Sequence, residues 1–334
     1  MLSLDGKSIL LTGGTGSFGN TFVPMTLDRF QPKQLIIYSR DEMKQWEMSQ
    51  RLSKCDRIKF IIGDVRDQKQ LQRAMDGVNY VVHAAATKIV PIAEYNPLEC
   101  IKTNINGAAN VIESAIRSGV ERVVALSTDK ASNPINLYGA TKLASDKLFI
   151  ASNDPKSSSK TKFSIVRYGN VMGSRGSVIP LFMNLAKTGL IPITEPNMTR
   201  FMISLEDAVD LVWSALDGML GGEIYVKKIP SMKVADLAMA VAPDATQKIV
   251  GIRPGEKMHE QMIGVEDAKS TYEYPDYYKI LPGIFGSSFV EKQIGSGSKV
   301  PDMFSYNSAE NSEWLSVKDL QKWVKVNKEK IGVL

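Results

Sequence analysis

The first half of the chain alternates short apolar runs with longer segments of helical periodicity. Apolar, β-branched runs bounded by glycine or polar residues predict buried β-strands, and a period near 3.6 predicts helices. The predicted strands span 8–11, 35–38, 59–62, 80–82, 123–126 and 163–166, and the predicted helices span 20–30, 42–52, 103–117 and 136–150. Strand and helix in regular alternation predict an α/β fold with a doubly wound parallel sheet.

The pattern changes after Val171. Shorter elements follow, among them a helix 205–219 that starts with a capping box at Ser204, a strand 223–226 and a helix 234–241. Beyond Val265 the sequence is aromatic and glycine-rich and gives no clear pattern. We therefore predict a Rossmann domain over 1–171, its sheet completed by segments near 205–228, and a smaller C-terminal substrate lobe and extension over 172–334.

A glycine-rich turn follows the first predicted strand. Gly13, Gly16 and Gly19 form G-x-x-G-x-x-G directly before a predicted helix. Such spacing lets the backbone turn tightly and approach a pyrophosphate, and amide dipoles then face the phosphates. A glycine-rich loop alone is a weak signal, but the strand before it and the helix after it predict a dinucleotide site.

The second predicted strand ends at Ser39 and Arg40, about twenty residues past the last glycine. An acidic residue there would bind a ribose 2′-hydroxyl, whereas an arginine pairs with a 2′-phosphate. The sequence therefore favours NADP over NAD. Asp41 and Glu42 follow at once, and their alternative role is to cap the helix 42–52.

Two further strand ends suit the same ligand. Asp64 follows the third strand, where a carboxylate can meet the adenine amino group; its alternative role is to cap a loop. His83 and the small residues Ala84, Ala85 and Ala86 follow the fourth strand, and their size would admit the ribose and phosphates on the nicotinamide side.

The stretch 127–142 carries the candidate chemistry. Strand 123–126 delivers Ser127 to Lys130 at its carboxyl end, where open α/β sheets bind ligands. Tyr138 and Lys142 lie one helical turn apart, so that the ammonium can favour the phenolate and make the tyrosine a base. The alternative is a solvent-facing pair on an ordinary helix, but the position after a dinucleotide-binding half favours catalysis.

Composition excludes several other classes. The 334-residue chain is 43% hydrophobic and 23% charged, and its net charge of +5 is spread without a basic run, which argues against nucleic-acid binding. Cys55 and Cys100 have no metal spacing and fit a reduced, cytoplasmic compartment. Only His83 and His259 are present, which argues against a metal site or a hydrolase triad. We expect neither an export signal nor a membrane span.

Together the motifs resemble the extended short-chain dehydrogenase/reductases. They are Thr12-Gly-Gly-Thr-Gly-Ser-Phe-Gly19, Tyr-Ser-Arg40-Asp-Glu, Ser-Thr-Asp129-Lys130-Ala and Tyr138-Gly-Ala-Thr-Lys142. More narrowly, Pro91-Ile-Ala-Glu-Tyr-Asn-Pro97, Tyr168-Gly-Asn-Val171, Thr199-Arg-Phe201 and Arg253-Pro-Gly-Glu-Lys257 are similar to the inverting UDP-N-acetylglucosamine 4,6-dehydratases of pseudaminic acid biosynthesis. The resemblance covers roughly residues 5 to 265. One departure is Ile89, which replaces a usual histidine and leaves loop packing or substrate preference open.

The resemblance implies a role for each residue of the stretch 127–142. Tyr138 would take the 4-hydroxyl proton while NADP accepts hydride from C4, with Lys142 supporting the phenolate and Thr128 bonding near the 4-oxygen. Lys130 would take the C5 proton, Asp129 would protonate the leaving 6-hydroxyl, and the hydride would return to C6. A C4 ketone acidifies C5–H, so β-elimination needs such a base and acid. On an extended strand end, Asp129 and Lys130 would point to opposite sides, compatible with inversion at C5.

The resemblance also implies two contact sets. Expected at the cofactor are Gly13, Thr15, Gly16, Ser17, Phe18, Gly19, Ser39, Arg40, Lys44, Asp64, Val65, Ala84, Ala85, Ala86, Thr103, Ser127, Tyr138 and Lys142. Expected at UDP-N-acetylglucosamine are Lys88, Asn170, Val171, Val178, Thr194, Met198, Arg200, Arg253 and Glu256. For Asn170, Arg200, Arg253 and Glu256 the alternative is ordinary surface polarity or capping. Relatives are often multimeric, so a homo-oligomer is expected.

Three other functions compete with inverting dehydration. A nucleotide-sugar 4-epimerase uses the same Tyr138 and Lys142 but needs no further acid and base, so Asp129 and Lys130 argue against it. A retaining 4,6-dehydratase is closer, although membrane-bound relatives of that kind often lack the tyrosine. A non-catalytic dinucleotide-sensing protein typically loses Tyr138 or Lys142, and both are present here.

Overall fold

A computed structural model of the chain describes residues 3–332. Its strands, in chain order, are β1 (Ser8–Thr12), β2 (Gln34–Ser39), β3 (Ile58–Ile62), β4 (Tyr80–His83), β5 (Arg122–Thr128), β6 (Lys162–Tyr168), β7 (Asn170–Val171), β8 (Leu190–Ile193), β9 (Thr199–Ile203), β10 (Ile224–Lys227), β11 (Ser231–Lys233), β12 (Thr246–Ile249), β13 (Gln261–Ile263), β14 (Thr271–Glu273), β15 (Tyr277–Ile280), β16 (Ser298–Lys299) and β17 (Tyr306–Asn307).

Helices connect and cover these strands. They are α1 (Ser17–Arg29), α2 (Glu42–Arg51), α3 (Gln68–Ala74), α4 (Val90–Tyr95), α5 (Pro97–Ile101), α6 (Gly107–Arg117), α7 (Leu137–Ala151), α8 (Val178–Ala186), α9 (Leu205–Gly218), α10 (Val234–Val241), α11 (Ser287–Ile294) and α12 (Val317–Asn327). A π-helical turn, Lys102–Asn106, precedes α6, and a 3₁₀ turn, Asp129–Ala131, follows β5.

The main sheet has the order β16-β14-β15-β10-β6-β5-β4-β1-β2-β3 within the described chain. From β3 through β10 all neighbouring strands are parallel, which confirms the predicted α/β fold with a large parallel sheet. Beyond β10 the strands β15, β14 and β16 pair antiparallel, and these three strands, like β10, come from the C-terminal half. The sheet thus extends further into that half than the sequence predicted.

Two predicted helices differ from the structure at their first turns. The helix expected at 20–30 begins at Ser17, because the end of the glycine-rich turn already has helical geometry with Gly16 as its N-cap. The helix expected at 103–117 begins with the π-helical turn Lys102–Asn106 before it becomes α6. A π-helical turn adds one residue to the hydrogen-bonded loop, so it shifts the side chains of that turn around the helix.

A separate apolar cluster fills the smaller C-terminal lobe. It is built from α8, β8, β9, α10 and α12, and its buried members include Ile179, Phe182, Ile193, Met202 and Leu237. The short sheets β11-β9-β7 and β12-β8 lie in this lobe. The lobe and the carboxyl ends of the parallel strands bound the region that carries the predicted chemistry. No helix of residues 3–332 is long and apolar enough to cross a membrane.

Candidate active site

The glycine-rich turn forms a close-packed junction between β1 and α1. Gly13 has φ +67°, and a Cβ atom there would lie 2.8 Å from the backbone nitrogen of Ala85. A Cβ atom on Gly19 would collide with the carbonyl oxygen of Gly14. The 13-residue helix α1 starts at this turn with a glycine N-cap, so its first N–H groups do not donate to a capping side chain. The backbone therefore fits an anionic group such as a pyrophosphate.

Arg40 lies exposed at the end of β2. Its guanidinium is 3.7 Å from the Asp64 carboxylate, which also accepts bonds from Arg66. Although burial favours the neutral acid, the Arg66 and Arg40 cations hold the pKa of Asp64 below its usual range. Asp41 caps α2 by accepting from the Lys44 backbone N–H at 3.0 Å, which is the alternative role foreseen for it. Lys44 is also ion-paired with Asp41.

Tyr138 and Lys142 project from the first turns of α7, where Asn136 caps the helix by accepting from the Gly139 N–H at 2.8 Å. The Lys142 ammonium is buried and donates to the Leu126 carbonyl oxygen at 2.8 Å. Burial raises the pKa of Tyr138 to about 12, while the Lys130 ammonium and the Thr128 hydroxyl act in the opposite direction. Lys130 is therefore a cation that acts on the phenol, a role the sequence assigned to Lys142.

Asp129 and Lys130 do not continue the strand. Because Asp129–Ala131 forms a 3₁₀ turn capped by the Thr128 hydroxyl, the expectation that the two side chains point to opposite sides was wrong. The Lys130 Nζ atom lies 3.0 Å from Asp129 Oδ1 and 3.1 Å from Glu260 Oε1. Asp129 is 0% and Glu260 2% exposed, so one ammonium sits between two buried carboxyl groups.

Asp129, Lys130 and Glu260 differ in how their surroundings shift their pKa values. Burial raises the pKa of Asp129, because the charged form loses its hydration. Burial alone would lower the pKa of Lys130, but the two neighbouring carboxylates outweigh burial and raise it. For Glu260, the cations Lys130 and Arg200 outweigh burial and lower the pKa of the carboxyl group. The site thus combines a group that favours protonation with one that stays ionised.

The residues expected at the substrate lie in several elements of the lobe and, for Lys88, in the loop after β4. Arg200, in β9, donates to the Thr199 carbonyl at 2.7 Å and to the Lys257 carbonyl at 3.0 Å, and its Nε is 3.9 Å from Glu260. Arg253 is exposed and 3.7 Å from Glu256. Lys88 donates to the Arg175 carbonyl at 3.1 Å. Asn170 and Val171 form β7, Val178 begins α8, and Thr194 donates to the sulfur of the buried Met198.

Several residues expected at the cofactor already have intramolecular partners. Ser127 donates to the buried Asp146 at 2.8 Å, and the Ser39 hydroxyl accepts from Gln45 at 3.0 Å. Val65 is buried against Gly107. The remaining members lie at the strand ends or in the π-helical turn: Thr15, Ser17 and Phe18 at the glycine-rich turn, Ala84, Ala85 and Ala86 after β4, and Thr103 before α6.

Sequence reasoning missed two residues of this region. Asn104, in the π-helical turn, accepts from the Thr87 N–H at 2.8 Å and donates to the Thr87 carbonyl and to Thr141, so it links the loop after β4 to α7. Glu260 meets Lys130 across a long sequence separation. In the sequence, Asn104 is a lone asparagine in a predicted helix and Glu260 is a glutamate beside His259. Neither belongs to a motif that would distinguish it from an ordinary polar surface residue.

The parallel sheet, the glycine-rich turn and the Tyr138/Lys142 pair define an extended short-chain dehydrogenase/reductase. The family described as polysaccharide biosynthesis protein matches residues 9–282. The chain is 55% identical over 324 residues to a Campylobacter jejuni (strain 81-176) UDP-N-acetylglucosamine 4,6-dehydratase (inverting), covering 95% of this chain and 96% of that one. It is also 41% identical to a Rickettsia canadensis UDP-glucose 4-epimerase, covering 95% and 94%.

The X-ray structure of Pen from Bacillus thuringiensis matches with a TM-score of 0.90 and 34% identity, covering 98% of this chain and 99% of that one. The chain belongs to the polysaccharide biosynthesis protein family of extended short-chain dehydrogenase/reductases, which includes the inverting UDP-N-acetylglucosamine 4,6-dehydratase from C. jejuni. More distant solved structures that share the fold hold bound NAD.

Proposed function

We propose that the chain catalyses the NADP-dependent 4,6-dehydration of UDP-N-acetylglucosamine with inversion at C5. The product is a UDP-2-acetamido-2,6-dideoxy-hexos-4-ulose, and the net change is loss of one water molecule. The observation that carries this proposal is the ion pair of the buried Asp129 and the partly buried Lys130 beside Tyr138, because dehydration needs an acid and a base beyond the tyrosine. The 55% identity to the inverting C. jejuni enzyme supports the same assignment.

Tyr138 acts in the oxidation step. NADP, when bound, supplies the hydride acceptor for C4 and the hydride donor for C6. The phenolate of Tyr138 takes the 4-hydroxyl proton, and the Lys130 ammonium stabilises that phenolate, as its effect on the pKa of Tyr138 indicates. Lys142, anchored on the Leu126 carbonyl, is proposed to hold the nicotinamide ribose. Thr128 is proposed to bond near the 4-oxygen.

Asp129 and Lys130 act in the elimination step. The reactive form of the pair is a neutral Asp129 acid beside a neutral Lys130 amine. This form arises when Lys130 Nζ passes one proton to Asp129 Oδ1, which lies 3.0 Å away. Lys130 then removes the C5 proton made acidic by the C4 ketone, and Asp129 gives its proton to the leaving 6-hydroxyl, which departs as water. When the hydride reaches C6, C5 takes a proton that originates in solvent, and Lys130 releases the proton it removed to solvent. Inversion requires that the proton taken up by C5 arrive on the opposite face of the ring.

The cofactor preference rests on the end of β2. Asp41 is engaged in capping α2 and pairing with Lys44, which leaves Arg40 as the exposed cation next to the dinucleotide turn. A guanidinium there suits a 2′-phosphate, so NADP is proposed over NAD. Arg200, Arg253 and Glu256 are proposed to bind the UDP moiety, with the guanidinium groups offering bidentate contacts to the diphosphate. Lys88 is proposed to contact the sugar.

The decisive experiment is NMR of UDP-N-acetylglucosamine incubated with the enzyme and NADP in heavy water. We expect a product with a C4 ketone, a C6 methyl group and deuterium at C5 of the inverted configuration. A 4-epimer with protium at C5 would contradict dehydration and favour the epimerase activity named for the Rickettsia relative. A C5-deuterated ketone of unchanged configuration would instead identify a retaining dehydratase.

The cellular setting is proposed from the chain's surface and composition. Two cysteines without metal spacing fit a cytoplasmic enzyme.

Ile92, Tyr95 and Leu98 are exposed on α4 and α5, with Tyr95 87% exposed, and an apolar face of this kind suits contact with a second copy. Light scattering of the purified chain tests the proposed homo-oligomer, and a monomer mass at micromolar concentration would contradict it.

A further inference from the structure

Glu260 is a buried carboxylate to which the steps above assign no role. It lies just before β13 on the lobe side of the site and is 2% exposed. Its Oε1 atom contacts Lys130 at 3.1 Å, while its Oε2 atom has no hydrogen-bond partner within residues 3–332. Removing a carboxylate from water is strongly unfavourable unless the surroundings compensate for it. A buried anion held in this way therefore calls for a functional explanation.

The backbone holds Glu260 at a fixed position. Its N–H donates to the Ser308 hydroxyl at 2.9 Å, and its carbonyl accepts from the Ser308 N–H at 2.8 Å. The Ser308 hydroxyl in turn contacts the Thr199 hydroxyl at 2.7 Å, next to Arg200. The carboxylate is thus presented to Lys130 by the lobe, whereas Asp129 is presented by the end of β5.

We propose that Glu260 is a positioning residue for the acid and base pair: its carboxylate stays ionised beside Lys130, so the proton that Lys130 gives up goes to Asp129 and is held there until Asp129 donates it. This inference rests on the proposed dehydration. A single ammonium between two buried carboxyl groups cannot keep both ionised without cost, so one of the two must bind the proton. Glu260 and Asp129 then take different roles because their surroundings differ.

The charges around Asp129, Lys130 and Glu260 decide which of the two carboxyl groups binds a proton and which stays ionised. Glu260 faces the cations of Lys130, Arg200 and Lys257, and these keep its pKa low despite burial. Asp129 is wholly buried, and the Glu260 carboxylate adds to the effect of burial in raising its pKa. The titratable and charged groups that face the cluster are Asp129, Lys130, Tyr138, Arg200, Lys257 and Glu260.

The direct test is the titration of the Asp129 carboxyl carbon by NMR in the full-length protein, assigned with an Asp129→Asn variant. In the wild type we expect Asp129 to titrate above the ordinary aspartate value of about 3.9. In Glu260→Gln the neighbouring anion is gone, so the Asp129 titration moves to lower pH by about one to three units. Glu260→Asp retains the charge and keeps the titration close to that of the wild type.

The kinetic test uses the pH dependence of dehydration. Removing an anion lowers the pKa of every nearby proton-binding group, so both limbs of the pH–rate profile move to lower pH in Glu260→Gln. The matched control is Glu273→Gln, which removes an exposed carboxylate paired with Lys228 on β14 and leaves the profile unchanged. A merely structural loss would lower the rate at all pH values without moving either limb.

The Asp129 titration tests the role of Glu260, and the dehydration assay tests the proposed function, so the two can fail independently. An Asp129 titration that is the same in the wild type and in Glu260→Gln overturns the role of Glu260, whatever the enzyme converts. If Glu260→Gln fails to fold, an ordinary aspartate titration in the wild type overturns it equally. Absence of dehydration by the wild type would refute the proposed function, and the Asp129 titration would still decide whether Glu260 sets the proton affinity of its neighbour.

Discussion

Lys130 is the residue on which the proposed elimination step depends most. Replacing it with methionine removes the amine but fills nearly the same volume, so the variant keeps its fold better than an alanine variant would. We expect Lys130→Met to lose dehydration and C5–H exchange by about 10²–10⁴-fold, the usual contribution of a general base, while NADP stays bound. NMR in heavy water measures the exchange, and absorbance after dialysis measures retained cofactor.

The control for this variant is Lys228→Met, which removes an ammonium paired with the exposed Glu273. Its activity should match that of the wild type. Deuterium uptake at C5 by Lys130→Met at the wild-type rate would show that another group removes the C5 proton. Asp129 would then be the nearest candidate, since its carboxylate is 3.0 Å from the ammonium.

Arg40 is the residue proposed to distinguish NADP from NAD. Its exposed guanidinium contacts Asp64 loosely at 3.7 Å, so it can reorient toward a 2′-phosphate without breaking a strong bond. We expect Arg40→Ala to weaken NADP by about ten- to a hundredfold, as for loss of a charged hydrogen bond of about 1.5–3 kcal/mol, and to leave NAD affinity nearly unchanged. Calorimetric titration of both dinucleotides against the wild type and against the exposed control Arg73→Ala measures this. An equal loss for NAD and NADP would refute the phosphate role.

At the scale of elements, the turn between β1 and α1 tolerates no side chain at Gly19. An added methyl group would collide with the Gly14 carbonyl, so the turn must open. Overpacking of this kind costs about 1–3 kcal/mol, and we expect Gly19→Ala to weaken NADP binding by about ten- to a hundredfold. The matched control is Gly218→Ala in α9, where the methyl group would lie 3.3 Å from the Tyr225 hydroxyl. Dinucleotide titration compares the two, and equal affinities would contradict a rigid turn.

The sequence predicted the elements whose signals are local. The parallel strands carry continuous apolar runs, and the glycine spacing with its flanking strand and helix predicted the turn at Gly13. The helix 234–241 has the predicted bounds because an apolar face and flanking breakers coincide there. These features depend on neighbouring residues, so one sequence is sufficient to recognise them.

Other features arise only from contacts between distant segments. Strands β14, β15 and β16 are two to four residues long, too short for alternation to be recognised, and they become strands by pairing with the edge at β10. The turn at Asp129 depends on a hydrogen bond from the Lys130 N–H to the Thr128 hydroxyl, which a strand-end pattern does not reveal. Glu260 reaches Lys130 across the fold, and no periodicity relates the two positions.

At the scale of the whole molecule, the proposed reaction centre depends on both halves of the chain. The end of β5 supplies Asp129 and Lys130, whereas the lobe supplies Arg200 and Glu260. The same halves share the main sheet, because β10 pairs with β6 and continues it into β15. Cleaving the chain between the halves would therefore remove strands of the main sheet as well as the proposed substrate contacts.

The stability of the whole molecule should depend on the protonation of His83. This side chain is buried at the end of β4, its Nδ1 contacts the Thr12 hydroxyl at 2.8 Å, and burial with the Lys142 charge lowers its pKa to about 3. The unfolded chain binds this proton near pH 6.5, and the folded chain does not until about pH 3. The stabilisation is therefore fully present above pH 6.5 and is lost as pH falls from 6.5 toward 3.

Between pH 7 and pH 5 this one group should lower the free energy of unfolding by about 2 kcal/mol. The measurement is urea unfolding of the wild type and of His83→Asn at both pH values, in the same cofactor state. Acidic groups such as Asp64 also titrate at low pH, but they do so in both proteins, so the difference between the two slopes isolates His83. Equal pH dependence in the two proteins would mean that the histidine is protonated in the folded state, and that the buried end of β4 admits a second cation beside Lys142.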